Sequence, residues 1–127
     1  MALALSTTLR DARSTAIVTA AGASAKIKFY NGTRPSTGVA ITSQTLLATL
    51  VGGAVIGTVS SQVLTFSAVT QSNGSHVSGT PTWVRITTSA DAFVADMTIP
   101  GDMTFTGTVA TGVDITLGTI SITEGNA

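Results

Sequence analysis

Apolar and polar side chains alternate strictly through several short segments of the chain, and a period of two is the signature of a half-buried β-strand. Ile27 and Phe29 alternate with Lys26, Lys28 and Tyr30. Asn31-Gly32 follows, a turn signal because both residues tolerate positive φ, and Arg34-Pro35-Ser36-Thr37-Gly38 extends the loop. A β-type segment from Thr45 to Val51 runs into Gly52-Gly53. Leu64, Phe66 and Ala68 then share one face and Thr65 and Ser67 the other. Gln71 to Pro81 reads as a polar loop containing Asn73-Gly74, and Thr82 to Thr87 as a strand around Trp83, Val84, Arg85 and Ile86. Phe93, Ala95, Met97 and Ile99 are expected on an apolar face opposite Val94, Asp96 and Thr98, before Pro100-Gly101-Asp102 turns the chain.

Near the C-terminal end, Val113, Ile115 and Leu117 stand on odd positions but Ile120 and Ile122 on even ones. The inward face is therefore expected to switch near Gly118, through a bulge or a crossing between sheets. Ahead of the strands, Leu5, Leu9, Ala12, Ala16 and Ala20 recur at helical spacing, Ser6 or Thr7 can cap the helix, and Gly22 can end it. This narrow, Ala-rich face suits close packing on a partner or on the domain body, with Arg10 and Arg13 elsewhere on the helix. The predicted class is mainly β: a jelly-roll-like antiparallel β-sandwich of about eight short strands with a short N-terminal helix. Residues 1–127 form one domain, with a helical arm over 1–22 and the sandwich over 25–127.

Only 9% of the residues are charged, against roughly 25% in ordinary soluble domains. Six basic and six acidic residues balance to zero, which gives no support to a nucleic-acid or membrane-surface partner. Two readings fit so few ions: Thr and Ser hydroxyls wet the surface, or much of the surface is covered in an assembly. The apolar stretch from Leu46 to Val59 is broken by Gly52, Gly53 and Gly57 and is shorter than the roughly 20 residues of a membrane span. With no secretory signal pattern around Met1-Ala2-Leu3-Ala4-Leu5, a soluble, cytosolically made protein is expected.

Signals for chemistry are weak. Cys is absent and His76 is the one histidine, so a typical zinc site cannot form from this chain and no cofactor is expected. A triad drawn from Ser75, His76 and Asp91 or Asp96 has no spacing to support it, and His76 reads as a solvated loop residue. Asp91, Asp96, Asp102 and Asp114 lack calcium-loop spacing. Gly52 to Gly57 lacks the Lys-Ser or Lys-Thr of a phosphate loop and reads as a bulged connection. Asn31-Gly32-Thr33 and Asn73-Gly74-Ser75 match a glycosylation sequon but read better as turns. The aromatics are more simply one core than a ligand platform.

Three stretches carry a family resemblance. They are Leu5-Ser6-Thr7-Thr8-Leu9-Arg10, then Lys26-Ile27-Lys28-Phe29-Tyr30-Asn31-Gly32-Thr33-Arg34-Pro35, then Gly79-Thr80-Pro81-Thr82-Trp83-Val84-Arg85-Ile86 together with Ile120-Ser121-Ile122-Thr123-Glu124-Gly125-Asn126. Together they resemble small capsid cement or decoration proteins of tailed bacteriophages, with 41–62 the least similar part. The resemblance implies a non-enzymatic virion protein on the capsid exterior. It also implies that the protein forms a homodimer or homotrimer, bridges neighbouring major capsid protein subunits, and uses the helix and terminal arms as contacts. Candidate interface residues are Leu5, Leu9, Arg10, Arg13, Tyr30 and Arg34. The rival expectations are a tail, baseplate or head–tail adaptor protein, a carbohydrate-binding module, and a small hydrolase resting on His76 alone.

Overall fold

The structure is a computed structural model that describes residues 5–61, 63–66, 70–71, 77–99, 109, 115–116 and 121–123. Helix α1 spans Thr7–Ala21. Ser6 caps it, its Oγ accepting from the Leu9 amide at 3.2 Å, and Gly22 ends it at φ +70° with its amide donating to the Val18 carbonyl.

Of the two placements that the Ala-rich face suits, on a partner or on the domain body, the second is not the one found: another face of α1 packs on the body. Ser14 and Ala21 are buried, and Ile17 and Val18 pack against the core. Leu9, Ala12, Ala16 and Ala20 face outward, with Leu9 48% exposed. The reason is bulk: Ile17 and Val18 have more apolar area to hide than the alanines, and Ser14 and Ala21 beside them are small enough for close approach.

Four antiparallel strands make the main sheet: β1 (Lys26–Tyr30), β2 (Leu46–Val51), β6 (Trp83–Thr87) and β7 (Phe93–Thr98), in the order β2-β1-β6-β7. A second sheet has β3 (Gly57–Ser60), β4 (Val63–Phe66) and β9 (Ser121–Thr123), ordered β3-β4-β9. A third joins β5 (Thr70–Gln71) to β8 (Ile115–Thr116), and Gly79 bridges Val109. Alternation on β1 and β6 sends Ile27, Phe29, Val84 and Ile86 into one core with Leu47, Leu50, Ile56, Leu64 and Met97, where α1 also packs. The chain is thus mainly β with one short N-terminal helix and antiparallel sheets, as its alternation predicts.

Two β-bulges adjust that alternation. On β2, Phe29 faces Ala48 and Tyr30 faces Leu46, so the extra residue Leu47 turns into the core. On β7, Ile86 faces Ala95 while Thr87 faces Phe93, leaving Val94 as the extra residue. This corrects the expected apolar row: Val94 packs on the core, and Phe93 lies 42% exposed on the opposite face. Gly118, where the C-terminal face switch was expected, lies outside the described residues. The flanking ladders share one register, since the offset that pairs Val63 with Thr123 also pairs Thr70 with Thr116.

The orientation of α1 predicts unequal costs of truncation. Ile17→Ala should destabilise the protein by about 1–2 kcal/mol and Leu9→Ala by less than about 0.5 kcal/mol, read from urea unfolding midpoints. Equal costs would mean that α1 presents its Ala-rich face to the core.

Candidate functional site

The second face of the main sheet gathers half of the chain's charged residues. Among six basic and six acidic residues, Lys26, Lys28, Arg34, Arg85, Asp91 and Asp96 all lie on this face or on the loops that border it. Strand alternation places them. Lys26, Lys28 and Tyr30 point away from the core because Ile27 and Phe29 point into it, and their direct partners on β6 are Thr87, Arg85 and Trp83.

At one end, Tyr30 and Trp83 stack with ring centroids 4.5 Å apart and planes 13° from parallel. Trp83 Nε1 donates to the Asn31 carbonyl at 3.3 Å. Beside them, the Arg85 guanidinium sits 5.5 Å from the Trp83 ring centre and 5.4 Å from that of Phe93. Its Nε and Nη2 donate to the two oxygens of Asp96 at 2.7 and 2.8 Å, a bidentate pair whose aspartate side chain is fully buried. The Asp96 hydrogen bond raises the pKa of Arg85, holding its charge.

The loop over residues 31–45 straps this cluster down. Arg85 Nη2 donates to the Val39 carbonyl at 2.9 Å, and the Gly38 amide donates to Asp96 Oδ2 at 3.1 Å. Gly38 has φ +74°, and a Cβ built there would lie 3.4 Å from the Phe93 ring, so the strap rests on that ring. Arg34 Nε donates to Thr98 Oγ1, and the Thr45 amide donates to Asn31 Oδ1, closing the base of the loop. Burial pushes the Tyr30 pKa up, with the nearby Arg85 charge pulling the other way.

At the other end, the hairpin loop between β6 and β7 folds back so that Asp91 meets both lysines. Lys26 Nζ reaches its two oxygens at 3.0 and 2.9 Å, and Lys28 Nζ reaches Oδ1 at 2.8 Å. Asp91 adopts φ +67°, and Thr88 Oγ1 holds the loop by accepting from the amides of Ala90 and Ala92. Lys28 and then Lys26 pull the Asp91 carboxyl below the usual carboxylate range.

The structure separates the six interface candidates into two groups. Leu9 and Arg13 are exposed on α1, while Leu5 and Arg10 are half-buried. Tyr30 and Arg34 belong to the far face of the main sheet. Tyr30 is only 6% exposed and stacked within the chain, which leaves little of its ring for another subunit to touch; that ring is worth more against Trp83 than in water. Half-buried Arg34 is tied to Thr98. Trp83, Arg85, Phe93 and Asp96 were not singled out from sequence as a site. The signal was the charge at alternate strand positions, Lys26 and Lys28 on one strand and Arg85 and Asp96 on the next two.

Among the described residues no group of three or more His, Cys, Asp or Glu side chains could hold a metal ion, and no helix is long and apolar enough to cross a membrane. His76, Ser75, Asp102 and Asp114 lie outside the described residues. The glycine-rich turn reads as a tied connection: the Gly52 amide donates to the Ala25 carbonyl at 2.8 Å, and the Gly53 carbonyl accepts from Ser24 at 2.8 Å. No family model, curated protein or solved structure matches the chain.

The raised Tyr30 pKa fixes a sign for alkaline stability. The unfolded chain releases the phenol proton near the ordinary value of 10.0 while the folded chain still holds it, so stability falls as pH rises from there through the folded value. Urea unfolding between pH 9 and 11 should show this fall, and Tyr30→Phe should reduce it; an unchanged slope in the variant would assign the effect elsewhere.

Proposed function

We propose that the chain is a structural protein of a tailed-phage virion, a capsid cement or decoration protein that bridges neighbouring major capsid protein subunits from the capsid exterior. The observation that carries the reading is the outward stripe of α1. Leu9, Ala12, Ala16 and Ala20 are exposed on a helix already anchored by its other face. In a chain with 9% charged residues, an exposed apolar stripe favours association over solvation. Leu46, Val51, Val55 and Val77 are exposed as well, which extends the apolar exterior beyond the helix. The resemblance of the opening helix, the β1 stretch and the β6 stretch to decoration proteins points the same way.

On this reading the β body winds as a jelly roll and works without catalysis or cofactor. Copies join as dimers or trimers through α1, and each copy adds a modest apolar contact between capsomers. Many copies acting together then hold the shell by multivalency.

Electron microscopy of particles with and without the protein tests this directly. Expected is surface density at capsomer junctions that disappears in the deletion, together with shells that open at lower temperature. Leu9→Lys should fold with nearly unchanged stability yet decorate particles at least about tenfold more weakly, because a charge replaces a buried apolar contact. Unchanged shells and no lost density would remove the proposal.

A further inference from the structure

Lys26 and Lys28 share a single carboxylate, in a chain where charge is otherwise sparse. Their side chains stay 28% and 19% exposed, so solvent reaches the cluster, and Asp91 above them is 53% exposed. Two ammonium groups against one carboxylate leave one positive charge uncompensated within the cluster. Directly opposite Lys26 on β6 stands Thr87, on the same face of the sheet, only 3% exposed and with a hydroxyl that finds no hydrogen-bond partner among the described residues. A buried hydroxyl without a partner is costly and needs an acceptor or donor from elsewhere.

The resident carboxylate defines the shape of the site. One oxygen is held by both lysines and the other by Lys26 alone, a planar two-oxygen arrangement. It is delivered by a five-residue hairpin loop, Thr88 to Ala92, from a residue in the left-handed region, which Asp tolerates but which costs more than extended backbone. The Asp91 amide also donates to the Thr88 carbonyl at 3.0 Å, a contact within the loop that does not involve the lysines.

From this geometry we infer that Lys26 and Lys28 form a carboxylate-binding seat that Asp91 fills from within and that an acidic side chain of a second molecule takes over. The exchange is one salt link for another, so it needs only a ligand that brings a second favourable contact. The seat lies on the opposite face of the main sheet from the core against which α1 packs, and it stands whether or not the chain decorates a capsid.

The test is a titration of the full chain with sodium succinate, followed through the lysine ε-carbon NMR shifts, with sodium chloride at equal ionic strength as the control. Asp91→Asn keeps the side-chain shape and the tolerance for positive φ but removes the resident charge. Succinate should bind this variant about fivefold more tightly than it binds the parent chain, because the competing surface ion pair is gone. Adding Lys28→Gln to Asp91→Asn should abolish the gain. Equal binding by parent and Asp91→Asn, in folded protein with a native amide spectrum, would overturn the seat. Tighter binding of inorganic phosphate than of succinate would overturn its assignment to carboxylates.

Discussion

The bidentate pair between Arg85 and Asp96 is the contact on which the outer face of the main sheet depends. A guanidinium and a carboxylate removed from water are costly unless every polar atom is engaged, and here the strap supplies the missing partners. Val39 gives its carbonyl to Arg85 and Gly38 gives its amide to Asp96. The aromatic rings of Trp83 and Phe93 flank the guanidinium, and Phe93 reaches that position only because the bulge at Val94 turns it away from the core. Pair, strap and bulge therefore imply one another.

The same sheet sorts its side chains by chemistry. On one face Ile27, Phe29, Val84 and Ile86 are fully buried against α1 and the second sheet. On the other, ion pairs and aromatic stacking do the covering. Five of the twelve charged residues, Lys26, Lys28, Arg85, Asp91 and Asp96, bond to one another on that face, while apolar side chains such as Leu9 and Val55 face outward. That distribution is the reverse of a surface tuned for solitary solubility, and it is the physical ground on which the proposed role in an assembly rests.

Much of the fold was legible in the sequence. Strict alternation placed β1, the apolar run around Trp83 and Ile86 placed β6, Ser6 and Gly22 marked the ends of α1, and Asn31-Gly32 marked where β1 gives way to the strap. The failures have physical causes. The periodic alanines marked a face of α1 without saying whether it meets a partner or the domain body, and burial followed the bulk of Ile17 and Val18. A bulge changes phase by one residue without a sequence mark, so Phe93 was assigned to the wrong side. The site was harder still, because Arg85 and Asp96 meet only through the register of β6 with β7, and Asp91 meets its lysines across a sequence separation of more than sixty residues.

A double-mutant cycle on Arg85 and Asp96 tests the dependence of the outer face on their pair. Arg85→Met and Asp96→Leu should each cost about 3 kcal/mol, since each strands a buried charge, and the double variant should cost less than the sum by more than about 1 kcal/mol. Single costs below about 1 kcal/mol that simply add would contradict the account, because the strap and the aromatic cluster would then be held by something other than this pair.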